Sequence, residues 1–150
     1  MRSSLIKISF ILFAAGLQVN LYSQAEKAGT IYVEITNIRN EAGNVKVSIY
    51  NIPDAFPGDH EQAVARIITT ISGSSAFAVF DSISFGEYAI GILHDENNNF
   101  IMDANWIGIP KEGFGASSDA PAKMGPPKYK NAKFNLNKAE LRLKIKMVYF

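Results

Sequence analysis

The chain has 150 residues, 47% of them hydrophobic, 11% aromatic and 19% charged, the proportions of one ordinary globular domain and too few residues for two. Fifteen Lys and Arg against fourteen Asp and Glu leave a formal charge of +1, which argues against a nucleic-acid-binding protein and against a highly charged disordered chain. With no cysteine, a disulfide scaffold, thiol catalysis and cysteine-ligated metal sites are excluded.

The first segment reads as an export signal. Arg2 and Lys7 precede an apolar run from Ile8 to Val19, broken only by Ser9, Gly16 and Gln18 and too short to span a bilayer. Ser23 and Ala25 then supply small residues at −3 and −1 of a cut after Ala25, with a cut after Ser23 as second choice. Residues 1–25 are therefore expected to be a signal peptide, placing residues 26–150 in the periplasm or outside the cell with no transmembrane segment after cleavage. Without the leader the formal charge is −1: residues 26–119 hold thirteen acids and five bases, residues 120–150 one acid and eight bases.

Along the remaining chain the dominant signal has a period of two. Ile31, Val33 and Ile35 alternate with polar residues, as do Val45, Val47 and Ile49 after the turn-like Asn40–Asn44, the pattern of a β-hairpin. Gly58 to Arg66 is the best helical window, about two turns long. Ile67–Ile71 is a β-branched strand, Phe77, Val79 and Ile83 continue an apolar pattern, and Glu87–His94 reads as a largely buried strand. Residues 132–136 and 140–149 suggest a second hairpin around Asn137-Lys138. Within it Leu141, Leu143 and Ile145 alternate with Arg142, Lys144 and Lys146, as in a half-buried strand with a basic solvent face that discourages edge aggregation. About seven short strands define an all-β chain, an antiparallel sandwich.

Two segments break the pattern. Asn51–His60, with Phe56-Pro57, is a crossover loop whose aromatic is expected to plug one end of the core. Asp95–Lys130 is a thirty-six-residue loop with four glycines and four prolines, and Trp106, Phe114 and Tyr129 in it are expected to pack down and order it. The loop begins with a pattern suited to a calcium ion: Asp95, Asn97 and Asn99 at positions 1, 3 and 5, the Ile101 carbonyl at 7 and Asp103 at 9. Phe100 stands at position 6 where glycine is usual, and Trp106 at position 12 where glutamate is usual, so any affinity is expected to be weak, about 10⁻⁴ to 10⁻³ M. The competing reading is a turn closed by Asn and Asp side chains alone.

Gly86-Glu87-Tyr88-Ala89-Ile90 leading into His94–Asn99, then Asp103, Gly108–Gly115, Ser117-Ser118 and Gly125-Pro126-Pro127, resembles the bacterial family DUF2141 over residues 29–149. The resemblance implies a secreted or periplasmic domain of uncharacterised role, an Ig-like or prealbumin-like (transthyretin-like) β-sandwich with one long ordered loop. The family pattern has Asn-Gly-Asn-Gly at positions 97–100, and Asn at 118.

No catalytic motif is present. His60 and His94 are the only histidines, Gly115–Asp119 is not a nucleophile elbow, and a zinc site at His94 would need the distant His60. The expected role is a binding or structural module for an envelope or extracellular partner, a glycan or a protein and not nucleic acid, with the long loop as its functional face. The alternative is a cell-envelope glycan hydrolase that uses Glu96 and Glu112 as its paired carboxylates.

Overall fold

Alternating β-branched residues drive Ala28–Thr36 (β1) into a strand whose Ile31, Val33 and Ile35 are buried. This computed structural model describes residues 27–122 and 125–150, so the expected signal peptide 1–25 lies outside the described residues. After β1 come Asn44–Tyr50 (β2), a 3-10 turn at His60–Gln62, Ala65–Thr69 (β3), Ser75–Ser84 (β4), Gly86–Asp95 (β5) and Gly113–Ala116 (β6). A second 3-10 turn at Ser117–Asp119, the short helix Tyr129–Ala132 (α1), Phe134–Leu136 (β7) and Glu140–Lys146 (β8) complete the order.

The strands form two sheets. A three-stranded sheet runs β4-β1-β8, with β1 antiparallel to β4 and parallel to β8. The other runs β3-β2-β5-β6, and β7 pairs with the first residues of β5 while β6 pairs with its last. The expected β-sandwich is therefore present, with eight strands among the described residues, one of whose pairings is parallel.

Both expected hairpins are corrected. β1 and β2 lie in opposite sheets because the linker between them is tied across the end of the sandwich: Asn37 Nδ2 donates to the Met147 carbonyl (2.8 Å), and the N–H of buried Ile38 donates to Ser74 (3.0 Å). β7 and β8 are likewise split, since β7 docks on β5 while Thr30 N–H captures the Ala139 carbonyl (2.8 Å) and starts β8 along β1. The helical window 58–66 holds only one 3-10 turn. Asp59 accepts from Glu61 N (3.2 Å) and Gln62 Nε2 (2.6 Å), and Val64 N–H is then drawn to the Ile49 carbonyl (2.7 Å), leading into β3.

Inward residues of both sheets meet in one core that includes Ile31, Val33, Val47, Ile90, Ile92 and Ile145. Burying each such side chain stabilises the fold by about 1.5–3 kcal/mol before entropy is counted. On β4 the apolar residues Phe77, Val79 and Ile83 do not share one face. Ala76, Ala78 and Phe80 point inward and Phe77 and Val79 outward, until positive φ at Ser82 (55°) and a register shift against β1 turn Ile83 into the core. The second face of the larger sheet is covered as well: Tyr50, Phe56 and Tyr129 pack edge to face there, with ring centroids 5.6 and 5.9 Å apart. That double cover explains why β2 and β5 are buried almost throughout. The expectation that Phe56 plugs one end of the core is corrected: it is buried on the outer side of the larger sheet, in a cluster with Tyr50 and Tyr129 apart from the inter-sheet core.

Candidate functional site

Strand β5 ends in two adjacent residues that face opposite sides of the sheet, His94 and Asp95, both fully buried. His94 Nε2 lies 2.9 Å from the Ala42 carbonyl and Nδ1 lies 2.9 Å from the Tyr149 hydroxyl. A carbonyl can only accept, so Nε2 carries a proton, and in the neutral ring Nδ1 accepts from Tyr149. His94 therefore positions the C-terminal segment and the linker after β1. Tyr149 also accepts from Arg39 N–H (3.2 Å), and the Arg39 guanidinium lies 4.7 Å from its ring centroid.

Arg39 in turn grips Glu96 with two donors, Nε at 2.8 Å and Nη2 at 2.6 Å, while Asn40 Nδ2 adds a third at 2.8 Å. The bond from Arg39 holds the Glu96 carboxyl below the ordinary carboxylate range against the opposing effect of burial, and Asn40 assists. Glu112, also buried, accepts from the backbone N–H groups of Glu96 (2.9 Å) and Asp103 (3.0 Å), stapling the loop at both ends. The two carboxylates named for glycan hydrolysis thus both serve as braces in this arrangement.

On the other face, Asp95 pairs with Lys46 from β2 and accepts from Asn99 N–H (3.1 Å) and Phe100 N–H (2.9 Å). Burial pushes its carboxyl up, but Lys46 and the two N–H groups outweigh this and hold it low. The Lys46 ammonium also lies 3.4 Å from the Phe100 ring centroid, closed in between carboxylate and aromatic. Gly43, at φ 65°, lets the neighbouring linker pass against the Asp95 carbonyl, where a Cβ would collide. Asn98 (φ 60°) and Phe100 (φ 70°) adopt left-handed backbone at the two positions where the family pattern carries glycine. Ser118 (φ 59°) also lies in the left-handed region.

The five residues expected to bind calcium share one loop but do not form an oxygen cage. The Asn97 and Asn99 amide oxygens accept the N–H groups of Asn99 and Ile101 (both 3.0 Å), so their NH₂ groups face Asp103 and donate to it at 2.5 and 3.2 Å. An ion at Asp103 would meet donors, and one at Asp95 would have to displace Lys46. The set does not fit a hard cation in this geometry. Among the described residues no group of three or more His, Asp or Glu side chains is arranged to hold a metal.

Beyond the staples the loop turns back on itself. Asn105 Oδ1 accepts from Ile107 (3.0 Å) and Ile109 (2.9 Å), and Asn105 N–H donates to the Ile109 carbonyl (2.8 Å). Trp106 at its tip is 94% exposed, and the following Ile107 is exposed too, as are Phe100 and Ile101 earlier in the loop. The expectation that Trp106 packs down is corrected: the side-chain bonds of Asn105 and Glu112 order this segment without it. Phe114 and Tyr129 are buried as expected, because β6 and α1 break the long loop into packed pieces. Lys46, Arg39 and Tyr149, which brace the site, escaped the sequence reading. Lys46 occupies an ordinary polar slot in the alternation of β2, and its partner lies 49 residues away.

Fold and loop together define a β-sandwich domain that carries one braced, apolar-tipped loop on the end of its larger sheet. A family model described as "Uncharacterized protein conserved in bacteria (DUF2141)" matches residues 33–144, and the chain belongs to that family. No curated protein and no solved structure matches it.

Proposed function

We propose that this is an exported binding module that presents the tip of the 96–112 loop to a glycan or protein of the cell envelope. The observation that carries the reading is Trp106, 94% exposed on a turn whose base is fixed by Glu112, Arg39 and Asp95. A rigid base removes the entropy cost of ordering the loop on binding, and an exposed tryptophan among aliphatic side chains is the side-chain type that dominates binding energies. Export rests on the basic, apolar and small-residue order of residues 1–25. The loop's resident cation in this reading is Lys46 rather than calcium. A glycan hydrolase is the weaker reading, since a general acid must be held protonated, whereas Arg39 holds Glu96 ionised and Glu112 is occupied by two N–H groups.

Trp106 is the single tryptophan of the chain, which makes its fluorescence a local probe. Titration with peptidoglycan fragments, arrayed polysaccharides and outer-membrane protein extracts is expected to shift its emission to the blue with one of these classes, and Ile107→Asp is expected to weaken that response. If none of the three moves the emission, the tip is not a recognition surface.

A further inference from the structure

Sheet edges expose unpaired backbone groups, and most edges of this fold are guarded. β8 carries exposed Arg142, Lys144 and Lys146, β3 carries Arg66, and β6 is covered by the bridge between Phe114 and Val148 (3.0 and 2.8 Å). β4 is different. From Ser75 to Phe80 it has no charge and no proline, Phe77 (64%) and Val79 (49%) are exposed on its outer face, and among the described residues its only pairing beyond β1 is the Ser72–Ser75 bridge. An apolar edge of this kind, uncharged from Ser75 until the exposed Asp81, is a template for another strand.

We infer that β4 pairs antiparallel with β4 of a second copy about a two-fold axis at Ala78, joining two three-stranded sheets into one of six strands. Opposite residues in such a pair share a face, so Phe77 meets Val79 of the second copy while Ala76 meets Phe80 on the core side. On the outer face β1 and β8 already set Tyr32 beside Val79 and stack Arg142 on Tyr32 (4.2 Å), and set Glu34 beside Phe77 and in an ion pair with Lys144 (2.8 Å). Across the axis these rows become continuous: Arg142, Tyr32 and Val79 of one copy run into Phe77, Glu34 and Lys144 of the other. The pairing is self-complementary and sets each exposed apolar residue against one of the second copy. It also stops at two copies, because the outer edges of the joined sheet are the basic β8 strands. The uncharged stretch is bounded by exposed Asp81 and the irregularity at Ser82, which keeps the register short and defined.

Sedimentation velocity of the purified full chain at about 100 µM is expected to give the mass of a dimer, and Val79→Lys, which sets a cation against the apolar pair twice per dimer, to weaken it at least about tenfold. Ile68→Lys on the exposed face of β3 serves as a control and is expected to leave the dimer intact. A monomeric wild-type chain, or a Val79→Lys chain that dimerises as well as wild type, overturns the proposal. The chain has no cysteine, so register is read independently of the lysine variant. Phe77→Cys mixed with Val79→Cys is expected to form a cross-linked heterodimer on mild oxidation much faster than either variant alone, since opposite Cβ atoms lie about 5 Å apart and diagonal ones about 7–8 Å. Equal or faster self-linking of Phe77→Cys overturns the Ala78-centred pairing.

Discussion

The ammonium of Lys46 on β2 lies against the carboxylate of Asp95 at the end of β5, both side chains withdrawn from solvent beneath the ring of Phe100. This pair fastens the loop that follows to the sheet that carries it. Removing the lysine leaves a buried carboxylate without its counter-charge, so Lys46→Ala is expected to cost about 3–5 kcal/mol in chemical denaturation, whereas Lys46→Met with Asp95→Asn recovers much of it. A single-variant loss below about 1 kcal/mol would mean that water reaches Asp95.

The same pair makes a prediction about pH. Asp95 is held below its ordinary value of 3.8 in the folded chain, so its contribution is complete above that pH and is lost as the pH falls through the lower, folded value. The stability gap between wild type and Lys46→Ala is therefore expected to narrow as the pH falls below about 4 and to close only below the lower, folded value, measured by urea denaturation across the acid range.

Calcium at millimolar concentration is expected to leave the melting temperature where EDTA leaves it. Binding at ten times Kd would add about 1.4 kcal/mol and a rise of several degrees. Such a rise, abolished in Asp95→Ala, would show that the loop opens to admit the ion in place of Lys46.

Ser117 joins three parts of the chain through one buried hydroxyl, accepting from Ile90 N–H (2.9 Å) and donating to the Ala132 carbonyl (2.6 Å). Ser117→Ala orphans both backbone groups and is expected to cost about 1–3 kcal/mol. Ser118→Ala, its neighbour at positive φ, is expected to act through backbone strain instead, and Ser118→Gly to be neutral or stabilising. Thermal melts of the three variants separate the two mechanisms.

Export is tested by the intact mass of the protein recovered from its host. Cleavage after Ala25 leaves Glu26 as the first residue, and cleavage after Ser23 leaves Gln24. A chain that keeps residues 1–23 would refute the signal peptide.

The period-two alternation by itself determined the class of fold, most of its strands and the basic face of β8, because period reports which face of a strand is dry, and the unbroken apolar run of β5 marked a strand dry on both faces. It did not determine neighbours. β1 and β2 alternate alike whether they pair with each other or face each other across the core, and only the ties of Asn37 and Ile38 to distant residues decided the second. On β4, the apolar pattern of Phe77 and Val79 did not say which face is dry, and the small Ala76 and Ala78 are the inward residues, packed in the core between the sheets.

The turn chemistry of Asp95–Asp103 was equally legible, since Asn and Asp bond their own backbone over a few residues. What sits against Asp95 was not. A carboxylate takes whichever cation the fold brings to it, and only the tertiary structure sets Lys46, from a strand 49 residues earlier, in that place. Local periodicity and local hydrogen bonding are written in short stretches of sequence, whereas charge pairing across strands depends on which strands become neighbours.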